Sequence, residues 1–300
     1  MSEVTTDEHK IKSHTTKIVA VGNVGCKVVS NISKMAQTDF TREDLILVNS
    51  NFRYKCSTEA TYISIDKLKH KNITNIFYEA DVVIIVAGMG GSTGTKYAIE
   101  VAKKAKESGA LTLAVVTKPF NFEGIIRSEV AEIGILKLLK KVDALFIERN
   151  NTITSSITCT GDINENFQFS KANLLLTAFN LANIFKPSAL ITIDIEDIRN
   201  IMTDVGIAWI SSGFESKEDW FSDTARQALS RAMSNLPLYF YDTKNIIFKI
   251  VAGDNLNLYE VNKIVETLKQ SLPKDVNIII GASKEIEMKD KAAITLIGTG

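Results

Sequence analysis

Ala87-Gly88-Met89-Gly90-Gly91-Ser92-Thr93-Gly94-Thr95 follows the apolar run Val82-Val83-Ile84-Ile85-Val86 and precedes an amphipathic segment over residues 96–108. Strand, glycine-rich turn and helix, in that order, make a phosphate cradle. Glycine lets the backbone approach an anion closely, and the start of the helix directs unpaired N–H groups at it. Ser92, Thr93 and Thr95 add hydroxyl donors. The stretch is not a P-loop, because no Gly-Lys-Ser/Thr follows at the required spacing, and it is not GxGxxG. A tight structural turn is the bland alternative.

Outward from this turn, short β-branched runs alternate with helical patterns. Residues 17–21, 45–48, 62–65, 81–86, 111–117 and 144–147 read as strands, and 26–36 and 73–79 as helices between them. Such alternation predicts an α/β fold with a doubly wound parallel sheet, whose ligands bind at the carboxyl ends of the strands. Residues 166–185 read as one long helix that stops before Lys186-Pro187, since proline disfavours helix in the residue before it. Asp194 is placed to cap a helix over 195–203. The second half changes pattern. Strands over 207–211, 246–251, 276–280 and 293–297, with helices over 218–233 and 256–272, predict a smaller α+β unit. The expected division is a disordered leader over 1–16, a nucleotide-binding domain over 17–165, the central helix with its following loop and helix over 166–203, and the α+β domain over 204–300.

Composition narrows the class. With 35 basic and 35 acidic residues and 45% hydrophobic content, the chain suits an ordinary soluble protein and not a nucleic-acid binder. No apolar run approaches the roughly 18 residues of a spanning helix, and the polar start is not a signal peptide, so a cytoplasmic protein without membrane insertion is expected. Cys26, Cys56 and Cys159 imply neither disulfides nor zinc. His9, His14 and His70 lie in the leader or in a lysine-rich stretch, which leaves a Ser-His-Asp or Cys-His mechanism without a base.

The pair Gly88-Met89-Gly90-Gly91-Ser92-Thr93-Gly94-Thr95 and Thr117-Lys118-Pro119-Phe120-Asn121-Phe122-Glu123-Gly124 resembles the nucleotide-binding core of the FtsZ/tubulin family. The likeness runs from residue 17 to 300 and includes Ile191-Thr192-Ile193-Asp194-Ile195-Glu196-Asp197 and Ile250-Val251-Ala252-Gly253-Asp254-Asn255. It implies a GTP/GDP site. The phosphates would lie at Gly22, Gly25, Gly88, Gly90, Gly91, Ser92, Thr93, Gly94 and Thr95, the ribose at Glu123 and Arg127 with Asn150 near it, and the base beside Phe167 and Lys171. It further implies catalytic aspartates at Asp194 and Asp197, an interfacial Mg2+ or K+, head-to-tail homopolymers, and membrane-tether or division proteins as partners. A helix of about 18 residues spans roughly 27 Å, too far for the aspartates to reach their own subunit's γ-phosphate. The resemblance therefore implies hydrolysis between subunits.

Several positions depart from the family pattern. Ser92 stands for a glycine, adding a Cβ that would crowd a turn needing positive φ. The first turn, Gly22-Asn23-Val24-Gly25-Cys26-Lys27, keeps two glycines and carries a β-branched Val24. Residues 66–72 contain no glycine where the family has a long glycine-rich loop. Lys171 occupies the position of the guanine-reading acid, and an ammonium cannot accept from guanine N1–H and N2–H2, which leaves Glu165 or Asn164 as alternative acceptors. Two functions follow: a divergent FtsZ-like GTPase that polymerises, or a non-hydrolysing paralogue that polymerises or modulates filaments with weak or altered nucleotide binding.

Overall fold

β1 (Thr16–Val21), β2 (Leu45–Asn49), β3 (Thr61–Ser64), β4 (Val82–Gly88), β5 (Leu111–Lys118) and β6 (Ala144–Arg149) pair in parallel in the order β3-β2-β1-β4-β5-β6. They belong to a computed structural model that describes residues 14–32, 40–50, 60–68, 76–149, 163–188, 190–215, 242–253, 256–272, 275–289 and 291–300. The near-continuous Val/Ile/Leu runs have a direct cause, because a parallel sheet is covered on both faces and both parities must be apolar. Ile18, Ala20, Ile84, Val86, Val115 and Phe146 pack toward α1 (Gly22–Ile32) and α5 (Ile163–Ile184). Their neighbours Val19, Val21, Ile85, Ala87 and Val116 pack toward α3 (Ser92–Glu107) and α4 (Ile125–Leu139). The short α2 (Ile65–Leu68) follows β3 on this second side.

Helix starts differ from the sequence expectation. α1 begins at Gly22 rather than residue 26, and α3 at Ser92 rather than 96, so the first glycine turn is the first turn of α1 and the second runs from the end of β4 to the N-cap of α3 at Gly91. Ile65 opens α2 instead of closing β3. Residues 76–79 form a short turn, with Glu79 at φ 69°, and 73–75 lie outside the described residues. The helix expected over 218–233 and most of the leader also lie outside them, while Thr16, the last leader residue, opens β1.

β7 (Gly206–Glu215) joins the two halves. Its first residues pair in parallel with β6, and from Trp209 onward it pairs antiparallel with β10 (Ala292–Thr299). β10 pairs with β8 (Asn245–Ala252), and β8 with β9 (Asn277–Lys284), giving one ten-stranded sheet. α7 (Leu258–Ser271) buries Val261, Ile264, Val265 and Leu268 against this end of it. The segment after α5 is tied to β9: Ile191 N–H donates to the Ala282 carbonyl at 2.9 Å, and Ala282 N–H donates back at 2.9 Å.

A second tie closes the central helix. Lys249, buried in β8, donates from Nζ to the carbonyls of Asn183 (2.8 Å) and Lys186 (3.1 Å) at the C-terminal end of α5. Cations suit that end of a helix, whose last carbonyls lack partners. Burial nevertheless pulls the Lys249 pKa from 10.5 down to about 8, helped by Lys186 and opposed by Glu285. Between pH 8 and 10.5 the unfolded chain holds a proton that the native chain has lost, so stability rises with pH through that window, by on the order of 3 kcal/mol from this group. Urea unfolding at pH 7.5 and pH 10 is expected to show that rise in the wild type relative to Lys249→Met, which lacks the titrating group. A stability difference between the two proteins that does not change with pH would refute the assignment.

Candidate nucleotide site

The strand order reverses direction between β1 and β4, and the crevice at such a switch point is where open α/β sheets bind ligands. Both glycine turns open into it. Gly22 has φ 73°, and a Cβ there would lie 3.2 Å from Gly94 N, so the two turns touch through backbone. A Cβ on Gly25 would lie 2.2 Å from the Val86 carbonyl oxygen. The two glycines of the first turn thus occupy the positions where geometry requires them. Val24 sits in α1 without positive φ, its side chain against Gly88, and does not distort the turn.

The second turn is built around backbone contacts. A Cβ on Gly94 would lie 2.2 Å from the Gly88 carbonyl oxygen. Gly90, at φ 95°, donates its N–H to Thr95 Oγ1 at 2.9 Å, and Met89 N–H donates to the Thr117 carbonyl. Thr95 therefore closes the loop from inside. Gly91 is the N-cap of α3 and supplies no side-chain cap; first-turn N–H groups lack partners within a helix. Ser92 is the exposed first residue of α3, without positive φ, so its Cβ crowds nothing. Thr93 is half-buried beside Gly22.

Glu123 and Arg127 come together as an ion pair at 2.5 Å, and the second Glu123 oxygen accepts the Phe120 N–H at 3.0 Å. The pair lies at the mouth of the crevice, since the Arg127 carbonyl packs against Gly90. Asn150 lies outside the described residues, and of Phe167 only the helical backbone in α5 is described. Lys171 is half-buried on α5, one turn before Leu174 and Leu175, which pack toward the sheet.

Asp194 and Asp197 are elsewhere. Asp194 caps α6 (Ile195–Met202), its Oδ1 accepting the Glu196 N–H at 3.0 Å, and Asp197 is exposed in the first turn. The buried face of α6, Ile195, Ile198, Ile201 and Met202, belongs to the core on the α5 side of the sheet. Arg199 donates to the Asp81 carbonyl at 2.8 Å, which fastens α6 to the amino end of β4. Seven residue steps from Asp81 to Gly88, at about 3.3 Å each, place this end roughly 23 Å from the cradle.

Residues 54–158 match the family model described as Tubulin/FtsZ family, GTPase domain, and residues 206–300 that of the FtsZ family, C-terminal domain. The chain belongs to the tubulin/FtsZ family. Cell division protein FtsZ of Buchnera aphidicola subsp. Baizongia pistaciae is 34% identical over 242 residues, covering 76% of this chain and 59% of that protein. The protein of the same name from subsp. Schizaphis graminum is 33% identical over 221 residues, covering 74% and 57%. The chain thus spans less than three fifths of the length of these curated relatives. Among solved structures, an empty FtsZ dimer from M. jannaschii superposes with a TM-score of 0.83 at 23% identity, over 96% of this chain and 88% of that one. GDP-bound CetZ1 from Haloferax volcanii gives 0.75 at 15% identity, over 95% and 93%. The tubulin/FtsZ fold, and its parallel sheet with a long central helix, is therefore the fold of this chain.

Two features of this family member carry no motif. Glu148, at the carboxyl end of β6, accepts a 2.6 Å hydrogen bond from Thr177 Oγ1 of α5; burial pushes its pKa up, opposed by that bond. α4 turns Ile125, Ile126, Ile133 and Leu136 outward, 54–79% exposed. Either was detectable as a break in pattern: a carboxylate ending an apolar strand, and an apolar stripe on the solvent side of a helix. Among the described residues no helix is long and apolar enough to cross a membrane, and no cluster of three metal-ligating side chains occurs.

Proposed function

We propose that the chain binds GTP in the crevice, polymerises head to tail and hydrolyses GTP at the subunit interface, in cell division or a related filament role. One observation carries this: α6, which presents the exposed Asp194–Asp197 pair, is fastened through Arg199 to the amino end of β4, while the glycine cradle lies at the carboxyl end, roughly 23 Å away along the strand. Neither end makes a complete hydrolytic site. Stacking copies so that one subunit's α6 meets the next subunit's cradle completes one, and such a heterologous contact propagates as a filament.

In this reading Gly22, Gly25, Gly88, Gly90 and Gly91 let backbone close on the phosphates. The α3 start with Ser92, Thr93 and Gly94 supplies donors and the positive end of the helix dipole. Thr95 holds the loop. Glu123 and Arg127, already paired, flank the sugar, with Asn150, Phe167 and Lys171 toward the base. Asp194 and Asp197 orient the attacking water for the neighbour's triphosphate. Their carboxylates, with phosphate oxygens, are the hard-oxygen donors that Mg2+ prefers, and such a cation, or K+, would offset charge on the transferring phosphoryl group.

Phosphate release and pelleting, measured with GTP, with ATP and without nucleotide, test the proposal. GTP-dependent pelleting with phosphate release is expected. Filaments that form without nucleotide and release no phosphate would instead identify a non-hydrolysing filament protein.

A further inference from the structure

Glu148 ends the run Leu145-Phe146-Ile147-Glu148 of β6 and shares the parity of Ala144 and Phe146, which pack toward α5. Among the described residues its one hydrogen-bond donor is Thr177 Oγ1. Withdrawing a carboxyl from water for a single hydroxyl is unfavourable compared with an apolar pair at the same place, so packing gives no reason for it. Glu148 also keeps partial exposure, which leaves room for a second partner.

Its position says what that partner is. Register aligns Gly88, Thr117 and Glu148 in one row across β4, β5 and β6. Gly88 and Thr117 share the parities of Val86 and Val115, so the row faces α1 and α5 as Phe146 does. Two strand spacings, about 10 Å, separate Glu148 from the first glycine of the cradle. A nucleotide whose phosphates sit at the Gly88–Thr95 turn and whose sugar lies at Glu123 and Arg127, past the carboxyl end of β5, carries its base on toward the end of β6.

We infer that Glu148 reads guanine, supplying from β6 the acceptor that α5 lacks at Lys171. This rests on the proposed nucleotide binding. A carboxylate accepts from guanine N1–H and N2–H2 together. Adenine presents a lone pair at N1 and no amine at C2, so against it the same carboxylate stays unpaired. Sites built on such polar pairing discriminate strongly, because the wrong ligand leaves a buried group unsatisfied. Thr177 is a positioning residue that holds the carboxylate in the crevice.

Equilibrium binding of fluorescent GDP and ADP to the full chain, to Glu148→Gln and to Thr177→Val tests the inference. The wild type is expected to prefer GDP. Glu148→Gln, of equal size, should lower GDP affinity by about tenfold or more and leave ADP affinity within about threefold. Thr177→Val, which keeps the carboxylate, should reduce the preference by a smaller factor. A GDP-to-ADP ratio unchanged in Glu148→Gln overturns the inference and leaves nucleotide binding standing, as does a wild type that binds both nucleotides equally. A wild type that binds neither overturns both. If Glu148→Gln fails to fold, an unchanged ratio in Thr177→Val overturns the inference.

Discussion

Gly94→Ala is expected to abolish nucleotide binding and to lower thermal stability, although alanine is the better helix former. Gly94 lies in the first turn of α3, where propensity alone favours alanine by about 1 kcal/mol. The contact points the other way. A Cβ there would lie 2.2 Å from the Gly88 carbonyl oxygen, and that oxygen belongs to the end of a buried strand paired on both sides. Relief requires moving the start of α3 away from β4, a kind of overpacking that costs about 1–3 kcal/mol or more. The displaced elements are the same ones proposed to hold phosphate, so affinity should fall further than stability. Thermal melting and GDP binding measure the two effects. Gly91→Ala is the control for folding: its Cβ meets nothing within 4 Å, its φ is −98°, and it should cost less than about 1 kcal/mol. A Gly94→Ala protein as stable as wild type, or more so, would show that helix propensity governs this turn.

What the sequence made legible was periodic or local. Parallel strands such as Val82 to Val86 stand out because burial on both faces makes every residue apolar, and the N-cap at Asp194 stands out because its chemistry is local to one turn. The first turn was harder to read. Gly22-Asn23-Val24-Gly25 looks like a degraded glycine loop, yet it is the start of a helix in which Gly22 alone needs positive φ and Gly25 gives way to the Val86 carbonyl. Only the approach of β4, remote in sequence, reveals that. Ser92 is the same case: its cost depended on whether the position needed positive φ, and tertiary placement at the helix start removes the cost. Lys249 interrupts an apolar strand, and Glu148 opens the charged end of another. The sequence offers that anomaly but not its partner, because the carbonyls of Asn183 and Lys186 and the hydroxyl of Thr177 are brought in by packing of α5.

Replacing Asp194 and Asp197 should stop phosphate release while leaving nucleotide affinity within about twofold, since their helix α6 is fastened to the amino end of β4, roughly 23 Å from the cradle. Loss of a group that orients or deprotonates the attacking water costs about 100-fold or more in turnover. The double variant should cost little more than the worse single one, because residues acting as a unit are not additive. Asp194 needs a control for its second job. Its Oδ1 caps α6, and alanine there would cost about 1 kcal/mol of stability irrespective of catalysis. Asparagine caps as well as aspartate but carries no charge, so Asp194→Asn should melt like wild type and still fail to release phosphate. Concentration then separates a shared site from a self-contained one. If α6 of one subunit serves the cradle of the next, wild-type turnover per subunit must rise with protein concentration as contacts form, and Asp194→Asn filaments must persist because their bound GTP is not consumed. Turnover per subunit that is constant from dilute to concentrated protein would place the whole reaction inside one chain, and with a wild-type rate in Asp194→Asn it would remove α6 from the mechanism.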